Sequence, residues 1–348
     1  MRPVAVAVRP RPPPYRAQPA QTLKRTLLLV IQRLALAIGL VLAVLAVNFT
    51  LIHAAPGDPA QVIAGEMGGA DEAAMASIRK VYGLDRSLPE QFVTYIGKSV
   101  RGDLGVSYTY NRPVSDLILD RLGPTVLLVL TSLLGAIVIG TLLGVLASRK
   151  PDSLGSGAVT VLSLVGYSMP VFWTGILLVI LFGKVWPIMP IAGMRDVRAI
   201  GGGAIENAID VAHHLVLPAL TLGIIYLAQY SRLARASMLE VLSSDYIRTA
   251  RAKGLSDGVV TFKHALRNAL MPIVTIAGLQ FGNLISGAVL VETVFSWPGL
   301  GTLALDAILG RDYPTLLGVL TFSAILVIVA NLLTDLSYRW IDPRLRGR

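Results

Sequence analysis

The chain has 348 residues, of which 54% are hydrophobic and only 15% are charged, and it contains no cysteine. Soluble domains carry about a quarter charged residues and disordered chains are poor in apolar residues, so both classes are excluded for most of this sequence. The lack of cysteine excludes disulfide scaffolds and thiolate metal sites. The composition indicates an integral membrane protein, and its net charge of +10 leaves a nucleic-acid or anionic membrane partner open until the charges are located.

Six apolar windows approach the roughly 20 residues that a helix needs to cross a bilayer. They span residues 34–51, 125–148, 159–183, 215–231, 270–291 and 315–334, and none contains a charged side chain. The fourth window is the shortest, so we expect its helix to extend past Arg232. Continuous apolar runs disfavour a membrane barrel, whose strands alternate over about 10 residues. The sequence therefore predicts an all-α membrane protein with six transmembrane helices.

The distribution of charge predicts the orientation, because short cytoplasmic loops carry an excess of Lys and Arg. With the N-terminus inside, the inner segments have a net charge of +14 and the outer segments −4. Seven of the inner basic residues lie between Arg232 and Arg267. Both termini are therefore predicted to be cytoplasmic, and the basic balance reflects topology rather than nucleic-acid binding.

The N-terminal residues are rich in Pro and Arg and predict a disordered cytoplasmic tail. A cleaved signal peptide is the alternative for residues 1–55, but the apolar stretch there exceeds the ~7–15 residues of a signal core. The predicted segments are a tail at 1–25, a first transmembrane helix at 26–52, an outer segment at 53–120, a five-helix core at 121–338 and a cytoplasmic tail at 339–348.

The outer segment predicts a small helical region, because about 70 residues with few large apolar groups hardly form an independent enzyme. An amphipathic run covers residues 70–81, and a second helix is predicted after Ser87, with Pro89 in its first turn. We expect this region to act as a lid or a docking surface.

The core contains a polar inner loop, residues 235–270, that is too long for a tight turn and too polar to lie in lipid. Residues 246–253 are good helix formers, with Asp245 as the predicted N-cap and Gly254 as the C-terminal stop. The sequence therefore predicts a short helix lying across the cytoplasmic face.

The composition of this short helix suggests a docking surface. The small Ala250 and Ala252 would let another protein approach closely, while Arg248, Arg251 and Lys253 supply positive charge. A solvated basic loop that only enforces topology is the alternative.

The fifth window is small and polar for a helix that faces lipid. Gly278, Gly282 and Ser286 recur every four residues, so they share one face and permit close helix packing. Gln280 and Asn283, together with Ser286, are candidates for lining a pathway, because uncharged polar side chains can form hydrogen bonds with a solute. A packing seam with incidental amides is the alternative.

The ionisable residues near the windows favour structural roles. Glu292 is expected in the headgroup zone at the outer end of the fifth window. The pair His213 and His214 is expected to cap the fourth helix rather than bind a metal, because adjacent helical residues face different ways. No Ser, His and Asp arrangement or metal-hydrolase spacing indicates a catalytic site, so the chain is not predicted to be an enzyme.

The inner loop resembles a known motif. Residues 248–254 read RTARAKG and are similar to the Glu-Ala-Ala, three residues, Gly motif of permease subunits in binding-protein-dependent ATP-binding-cassette (ABC) importers. Ala250 and Gly254 match that motif, while Arg248 and Thr249 replace its first two positions. The longer string SDYIRTARAKGLS resembles the dipeptide/oligopeptide branch of the family, in which this variant is usual.

Six further pieces resemble the same family and occur in its order. They are HAAPGDP at 53–59, GDLG at 102–105, GYSMP at 166–170, VETVFSWPGLG at 291–301, RDYP at 311–314 and DPR at 342–344. Together they cover nearly the whole chain after residue 22. The chain is thus identified as resembling the first, B-type permease of such an importer.

The resemblance implies a type-1 ABC importer permease fold, N-in and C-in, in the bacterial inner membrane. It implies half of a translocation pathway for di- or oligopeptides, completed by a second homologous permease, with an extracytoplasmic solute-binding protein delivering substrate. Two ABC ATPase subunits, or one fused ATPase, would hydrolyse ATP with Mg, and this chain would bind no cofactor and no nucleic acid. The residues implied to couple to the ATPases are Tyr246, Arg248, Thr249, Ala250, Ala252, Lys253 and Gly254.

The sequence leaves alternatives to this function open. Within the family, similar permeases carry nickel chelates, glutathione and other peptide-like substrates. An autonomous secondary transporter is an alternative of another class, although it would favour charged groups at the midplane of the helices, and the six windows carry none. A membrane-embedded enzyme would need a catalytic constellation that the sequence does not offer.

Overall fold

The computed structural model describes residues 19–54, 72–82, 85–196 and 203–341. These residues are helical except for connecting turns and one isolated bridge, between Val106 and Pro113. The helices are α1 (Pro19–Ala54), α2 (Glu72–Tyr82), α3 (Leu88–Val100), α4 (Val114–Arg149), α5 (Leu154–Ser168), α6 (Val171–Val179), α7 (Ala204–Leu242), α8 (Asp245–Ala252), α9 (Leu266–Val294), α10 (Leu300–Leu309) and α11 (Tyr313–Ile341). A π-helical turn, Ile180–Val185, extends α6, and another, Val260–Ala265, leads into α9.

Four helices in the described part of the chain are long and apolar enough to cross a membrane, and the bent pair α5–α6 makes five. The four are α1 through Ile31–Leu51, α4, α7 and α11 through Tyr313–Leu332. Helix α9 has 29 residues and contains the predicted window at 270–291 without interruption. Helix α1 begins at Pro19, within the segment predicted to be a disordered tail, and residues 1–18 lie outside the described residues.

The third predicted span is not a straight helix, so that prediction is wrong in its geometry. Helices α5 and α6 meet at an angle of 107°. The cause is Pro170, which lacks an N–H and forces Met169 out of the helical region, to φ −82° and ψ 132°. The α5 ladder therefore ends with the bond from the Met169 N–H to the Val165 carbonyl at 3.2 Å. Fifteen residues of α5 span only about 22 Å, less than the ~30 Å hydrocarbon core.

Helices α4 and α7 approach each other closely at two glycines. A Cβ atom on Gly140 would lie 2.6 Å from the Leu227 carbonyl oxygen, and one on Gly144 would lie 2.7 Å from Ala234 Cβ. The two glycines are four residues apart and share one face, the small-residue pattern that lets membrane helices pack backbone to backbone. Because the contacts advance in the same direction on both helices, α4 and α7 run parallel.

The neighbouring long helices alternate in direction around this pair. Helix α5 runs antiparallel to α7, since Gly166 packs near Ile224 and Ala228 while Ser156 meets Arg235. Helix α9 is also antiparallel to α7. Its Gly287 lies near Leu222, and its Gln280 meets Gln229.

The remaining long helices complete the arrangement on the far side of α9. Gly282 of α9 packs against Val327 of α11. Helix α1 joins α11 through a buried hydrogen bond of 3.0 Å, in which Asn48 Nδ2 donates to Thr321 Oγ1. The main apolar core lies between α4, α7 and α9, with the buried Leu128 and Tyr230 among its side chains.

Of the two predicted helix starts, the one after Ser87 is confirmed and the one at the His213–His214 pair is wrong. Helix α3 begins after Ser87 with Pro89 in its first turn, as predicted, and the Glu90 side chain accepts from the Ser87 N–H at 3.3 Å. By contrast, His214 does not cap the start of a helix, because α7 already begins at Ala204. The polar run before the apolar window is helical as well, since Gly203 and Glu206 supply an earlier start signal.

Candidate functional site

The short helix α8 lies between α7 and α9, in the loop that the sequence singles out. Ser244 precedes it with extended backbone at the N-cap, so Asp245 is the first helical residue and not the cap that we predicted. At the other end Gly254 has a φ of +76°, and its N–H donates to the Arg251 carbonyl at 2.9 Å. Glycine is favoured at this stop because residues with a Cβ rarely adopt the left-handed conformation.

One face of α8 packs against the chain itself. Ile247 is fully buried and Ala250 is 8% exposed. The small size of Ala250 therefore serves internal packing and not the approach of another protein, which corrects the prediction for this residue. The side chains in this cluster come from the adjoining ends of three long helices and the turn before α9: Val145, Met238, Val260, Ala265 and Ala269. Helix α8 is thus anchored to α4, α7 and α9 at once.

The opposite face of α8 is exposed and basic. Its exposed residues are Tyr246, Arg248, Thr249, Arg251, Ala252 and Lys253. The Tyr246 hydroxyl accepts a hydrogen bond from Asn268 Nδ2 at 2.7 Å, which ties the start of α8 to α9. Arg248 and Asp245 form an exposed ion pair at 3.4 Å, a kind that contributes about 0–1 kcal/mol. Arg251 and Asp257 form a second exposed pair at 3.9 Å, so the ion pairs described on this face are weak.

The candidate pathway residues lie on α9. Gln280 Nε2 donates to Gln229 Oε1 of α7 at 3.0 Å, so this amide sits between two long helices. Gly282 is buried against Val327 and Asn331 of α11, a packing position. The side chains of Asn283 and Ser286 lie outside the described residues, as do the surroundings of Gly278.

Glu292 is fully buried among protein atoms, in a position that supports the structural role predicted for it. Its carboxylate accepts from the Thr125 hydroxyl at 2.6 Å and from the backbone N–H groups of Gly301 and Thr302 at 2.6 and 3.4 Å. These N–H groups belong to the first turn of α10, where a carboxylate satisfies donors that have no helical partner. Glu292 therefore joins α4, α9 and α10.

The motif at 291–301 surrounds this carboxylate. Trp297 is fully buried, and its Nε1 donates to the Pro124 carbonyl at 3.0 Å. The Leu300 N–H donates to Thr125 Oγ1 at 2.8 Å. A Cβ on Gly301 would lie 2.5 Å from Val289 Cα, so this position requires glycine. The motif at 291–301 therefore forms a structural junction, a role that its resemblance to the family did not indicate.

Asp312 forms a second junction, which sequence reasoning did not identify. It is 1% exposed and accepts from the Ser107 hydroxyl at 2.5 Å and the Thr315 hydroxyl at 2.8 Å. Gly105, with a φ of +86°, lies against Pro314. The GDLG and RDYP motifs, about 200 residues apart in sequence, thus meet at one end of the bundle, which only the fold could reveal.

The described residues contain no group of three or more His, Cys, Asp or Glu side chains that could hold a metal ion. His214 Nδ1 lies 3.0 Å from Asp210 Oδ1 and 2.9 Å from the Asp210 carbonyl, a pairing one turn apart within α7. We therefore treat this pair as a structural feature of α7.

Two family profiles match the chain. The profile described as binding-protein-dependent transport system inner membrane component matches residues 136–347. The corresponding N-terminal profile of the transport system membrane component matches residues 26–129.

Several curated relatives match over nearly their full length. The dipeptide transport system permease protein DppB of Escherichia coli K12 is 40% identical over 335 residues, covering 92% of this chain and 98% of the relative. The di/tripeptide transport system permease protein DppB of Pseudomonas aeruginosa UCBPP-PA14 is 41% identical, covering 91% and 98%. The dipeptide permease DppB of Alkalihalophilus pseudofirmus is 39% identical, covering 90% and 98%.

A solved structure shares the fold. A chain of the MetNI methionine ABC transporter, in an inward-facing conformation, matches with a TM-score of 0.51 at 20% identity. The match covers 65% of this chain and 96% of that one. The two chains therefore share an arrangement of helices over the matched part.

Proposed function

We propose that this chain, which belongs to the family of binding-protein-dependent transport system inner membrane components, is one of two permease subunits in an ATP-driven importer of di- and oligopeptides. Membership of the family makes it a transport component of the bacterial inner membrane and not an enzyme. The peptide substrate is supported by relatives at 40% and 41% identity that are named for dipeptide and di/tripeptide transport.

The observation that carries the proposed mechanism is the two-faced placement of α8. Its inner face packs in one cluster with α4, α7 and α9 through Ile247 and Ala250, and its outer face is basic and left uncovered by the described residues. A rigid helix anchored in this way transmits a displacement to three long helices together. ATP-driven closure of the ATPases would move α8 and shift the pathway between outward and inward access.

The proposed contacts with the ATPases come from exposed residues of α8. Tyr246, Arg248, Thr249, Ala252 and Lys253 would meet the ATPase surface. Ala250 and Gly254 act indirectly, because the first fixes the helix to the bundle and the second ends it. ATP and Mg would be bound by two ATPase subunits or one fused ATPase and not by this chain.

The proposed assembly also includes a second homologous permease, which completes the pathway, and an extracytoplasmic binding protein that delivers the peptide. The proposed topology is six crossings with both termini inside, formed by α1, α4, the bent pair α5–α6, α7, α9 and α11. The parallel course of α4 and α7 and the antiparallel courses of α5 and α9 support this alternation. The outer region at 53–120 would meet the binding protein.

Affinity purification of the tagged chain in mild detergent tests the assembly. We expect ATPase subunits and a second permease to copurify and ATP hydrolysis to rise when loaded binding protein is added. A chain that purifies alone, and that moves peptide in liposomes without ATP, contradicts the proposal and favours an autonomous transporter.

Gly254→Gln tests the coupling role of α8. Nothing lies within 4 Å of a Cβ at this position, so the effect comes from its φ of +76°, which costs a side-chain-bearing residue about 1–2 kcal/mol. We expect membrane insertion to persist while ATPase binding or ATP-driven transport is lost. Gly258→Gln is the matched control, because it has the same open space without a positive φ. Normal transport by Gly254→Gln would count against this assignment of α8.

A further inference from the structure

Helix α7 carries a cation immediately after its apolar window. Arg232 directly follows the apolar window 215–231 and is exposed. Its guanidinium carbon lies 4.6 Å from the centroid of the Tyr167 ring, within the range of a cation–π contact. Exposed charges in membrane helices face water-filled cavities or partners rather than lipid, because lipid cannot solvate them.

The Arg232 side chain is directed away from the adjoining loop. Tyr167 follows Gly166, which packs against Ile224 and Ala228 of α7, one to two turns before Arg232. The guanidinium therefore reaches back along α7 toward the apolar window 215–231, the direction in which side chains of a helix lean.

The side chain of Arg235, three residues further along α7, is directed toward the adjoining loop. Its Nε donates to Ser156 Oγ at 3.3 Å, and its Nη2 donates to the Pro151 carbonyl at 3.5 Å, beside the loop between α4 and α5. Ser156 and Tyr167 are about 16 Å apart along α5 at 1.5 Å per residue. Arg235 thus reaches toward the loop between α4 and α5, whereas Arg232 reaches toward the apolar window.

The break between α5 and α6 lies beside Arg232. Tyr167 is 50% exposed, and Ser168, the last residue of α5, is exposed as well. Irregular backbone at membrane depth occurs where it is buried in protein or lines a water-filled cavity, because lipid leaves its polar groups unsatisfied. Since Tyr167 and Ser168 are exposed on this chain, we expect either a water-filled cavity or a partner subunit beside them.

Two amides extend the same polar surface. Gln229 and Arg232 are three residues apart on α7 and so share one face of the helix. This face lies between α5 and α9, since Arg232 meets Tyr167 of α5 and Gln229 meets Gln280 of α9.

We infer that Tyr167, Gln229, Arg232 and Gln280 line the water-filled pathway, and that Arg232 binds the carboxylate of the passing peptide. We call these four residues the polar stripe. A guanidinium presents N–H groups in a fork that matches a carboxylate, and the amides can donate to and accept from peptide groups. This inference rests on the proposed peptide transport and assigns the site within it.

Thiol labelling of the assembled transporter tests whether the stripe faces water. The chain contains no native cysteine, so single substitutions can be followed on it directly. We expect Arg232→Cys to react with a membrane-impermeant methanethiosulfonate reagent, and a transported dipeptide to slow the reaction. Val161→Cys, at an apolar position of α5 that is 60% exposed, is the control and should not react. An unreactive Arg232→Cys would mean that lipid or the second permease covers Arg232, and would overturn the inference.

Peptide uptake by the complete transporter in liposomes tests the carboxylate contact. We expect Arg232→Gln to reduce uptake by about tenfold or more, because a hydrogen bond between charged groups is lost, while binding-protein-stimulated ATP hydrolysis persists. Modification of Arg232→Cys by a positively charged thiol reagent should restore uptake, whereas a negatively charged reagent should not. Lys150→Gln, an exposed cation at the end of α4, is the control with normal uptake.

The outcomes separate this inference from the proposed function. Wild-type uptake rates in Arg232→Gln, or equal effects of both reagents, overturn the carboxylate site and leave peptide import intact. An absence of ATP-driven uptake in the wild-type transporter overturns the proposed function itself, while the labelling still reports whether the polar stripe faces water.

Discussion

Glu292 is the residue on which several elements depend. Its carboxylate is fully buried and satisfies a hydroxyl on α4 and two backbone N–H groups at the start of α10. Because the Thr125 hydroxyl and the Gly301 N–H are buried, removing the carboxylate leaves them without this acceptor, which costs more than the hydrogen bonds contribute. The same carboxylate fixes the path of the chain, since a Cβ on Gly301 would come within 2.8 Å of Glu292 Oε2.

We expect Glu292→Ala to lower the free energy of unfolding by about 3 kcal/mol, because charge-assisted hydrogen bonds are lost and the Gly301 N–H is left unsatisfied. Thermal denaturation of the purified chain in detergent measures the change. Glu240→Ala, an exposed carboxylate on α7, is the control and should be nearly neutral. Equal stabilities for the two variants would show that Glu292 is not a structural junction.

The sequence of a single element predicts its helical residues more readily than the direction in which each side chain points. The segment 246–253 was predicted to be helical from its composition, and the stop at Gly254 follows from the need for a positive φ. The direction of Ala250 could not be predicted, because small residues suit an internal contact and a partner contact equally. Ile247, the buried anchor of α8, carried a signal in its apolar character, but its partners come from distant helices.

At the scale of elements, the parallel pair α4–α7 depends on Gly140 and Gly144. We expect Gly144→Ala to destabilise the protein by about 1–3 kcal/mol, because the new methyl group would overlap the Ser231 carbonyl and Ala234 Cβ. Gly135→Ala is the matched control on the same helix, since nothing lies within 4 Å of a Cβ there and alanine favours a helix. Denaturation midpoints of both variants measure the difference, and a harmless Gly144→Ala would contradict the close approach.

Asp312 holds the connection between α3 and α4. Its carboxylate also accepts from the backbone N–H of Tyr108 at 3.2 Å and of Thr109 at 3.4 Å. We expect Asp312→Ala to release residues 101–113, and limited proteolysis of the purified protein should then cleave there several times faster. Asp306→Ala is the control, because its described contact is a long 3.5 Å bond from the Tyr110 hydroxyl on an exposed surface. Unchanged proteolysis in Asp312→Ala would show that other contacts hold the segment.

For the whole molecule, hydropathy predicts the long helices and the order of motifs predicts the family, because both can be read from local stretches of sequence. The windows match α1, α4, α7, α9 and α11, and the family resemblance holds over most of the chain. The third window shows the limit, since its apolar composition is continuous but Pro170 turns the helix by 107°. Proline marked this position in the sequence, yet the angle depends on how α5 and α6 pack against α7.

The junctions of the bundle were beyond local reasoning for a different reason. Glu292 meets Thr125 across 167 residues of chain, and Asp312 meets Ser107 across 205. No periodicity or spacing encodes such pairs, so only the fold brings them together.

We expect this chain to transport peptide only as part of an ATP-driven assembly. The direct measurement is uptake of a radiolabelled dipeptide into liposomes containing the chain, its second permease and the ATPases, with the binding protein outside and ATP inside. Our account predicts accumulation of the dipeptide that requires both ATP and the binding protein. Accumulation without ATP, or its absence in the complete assembly, would contradict it.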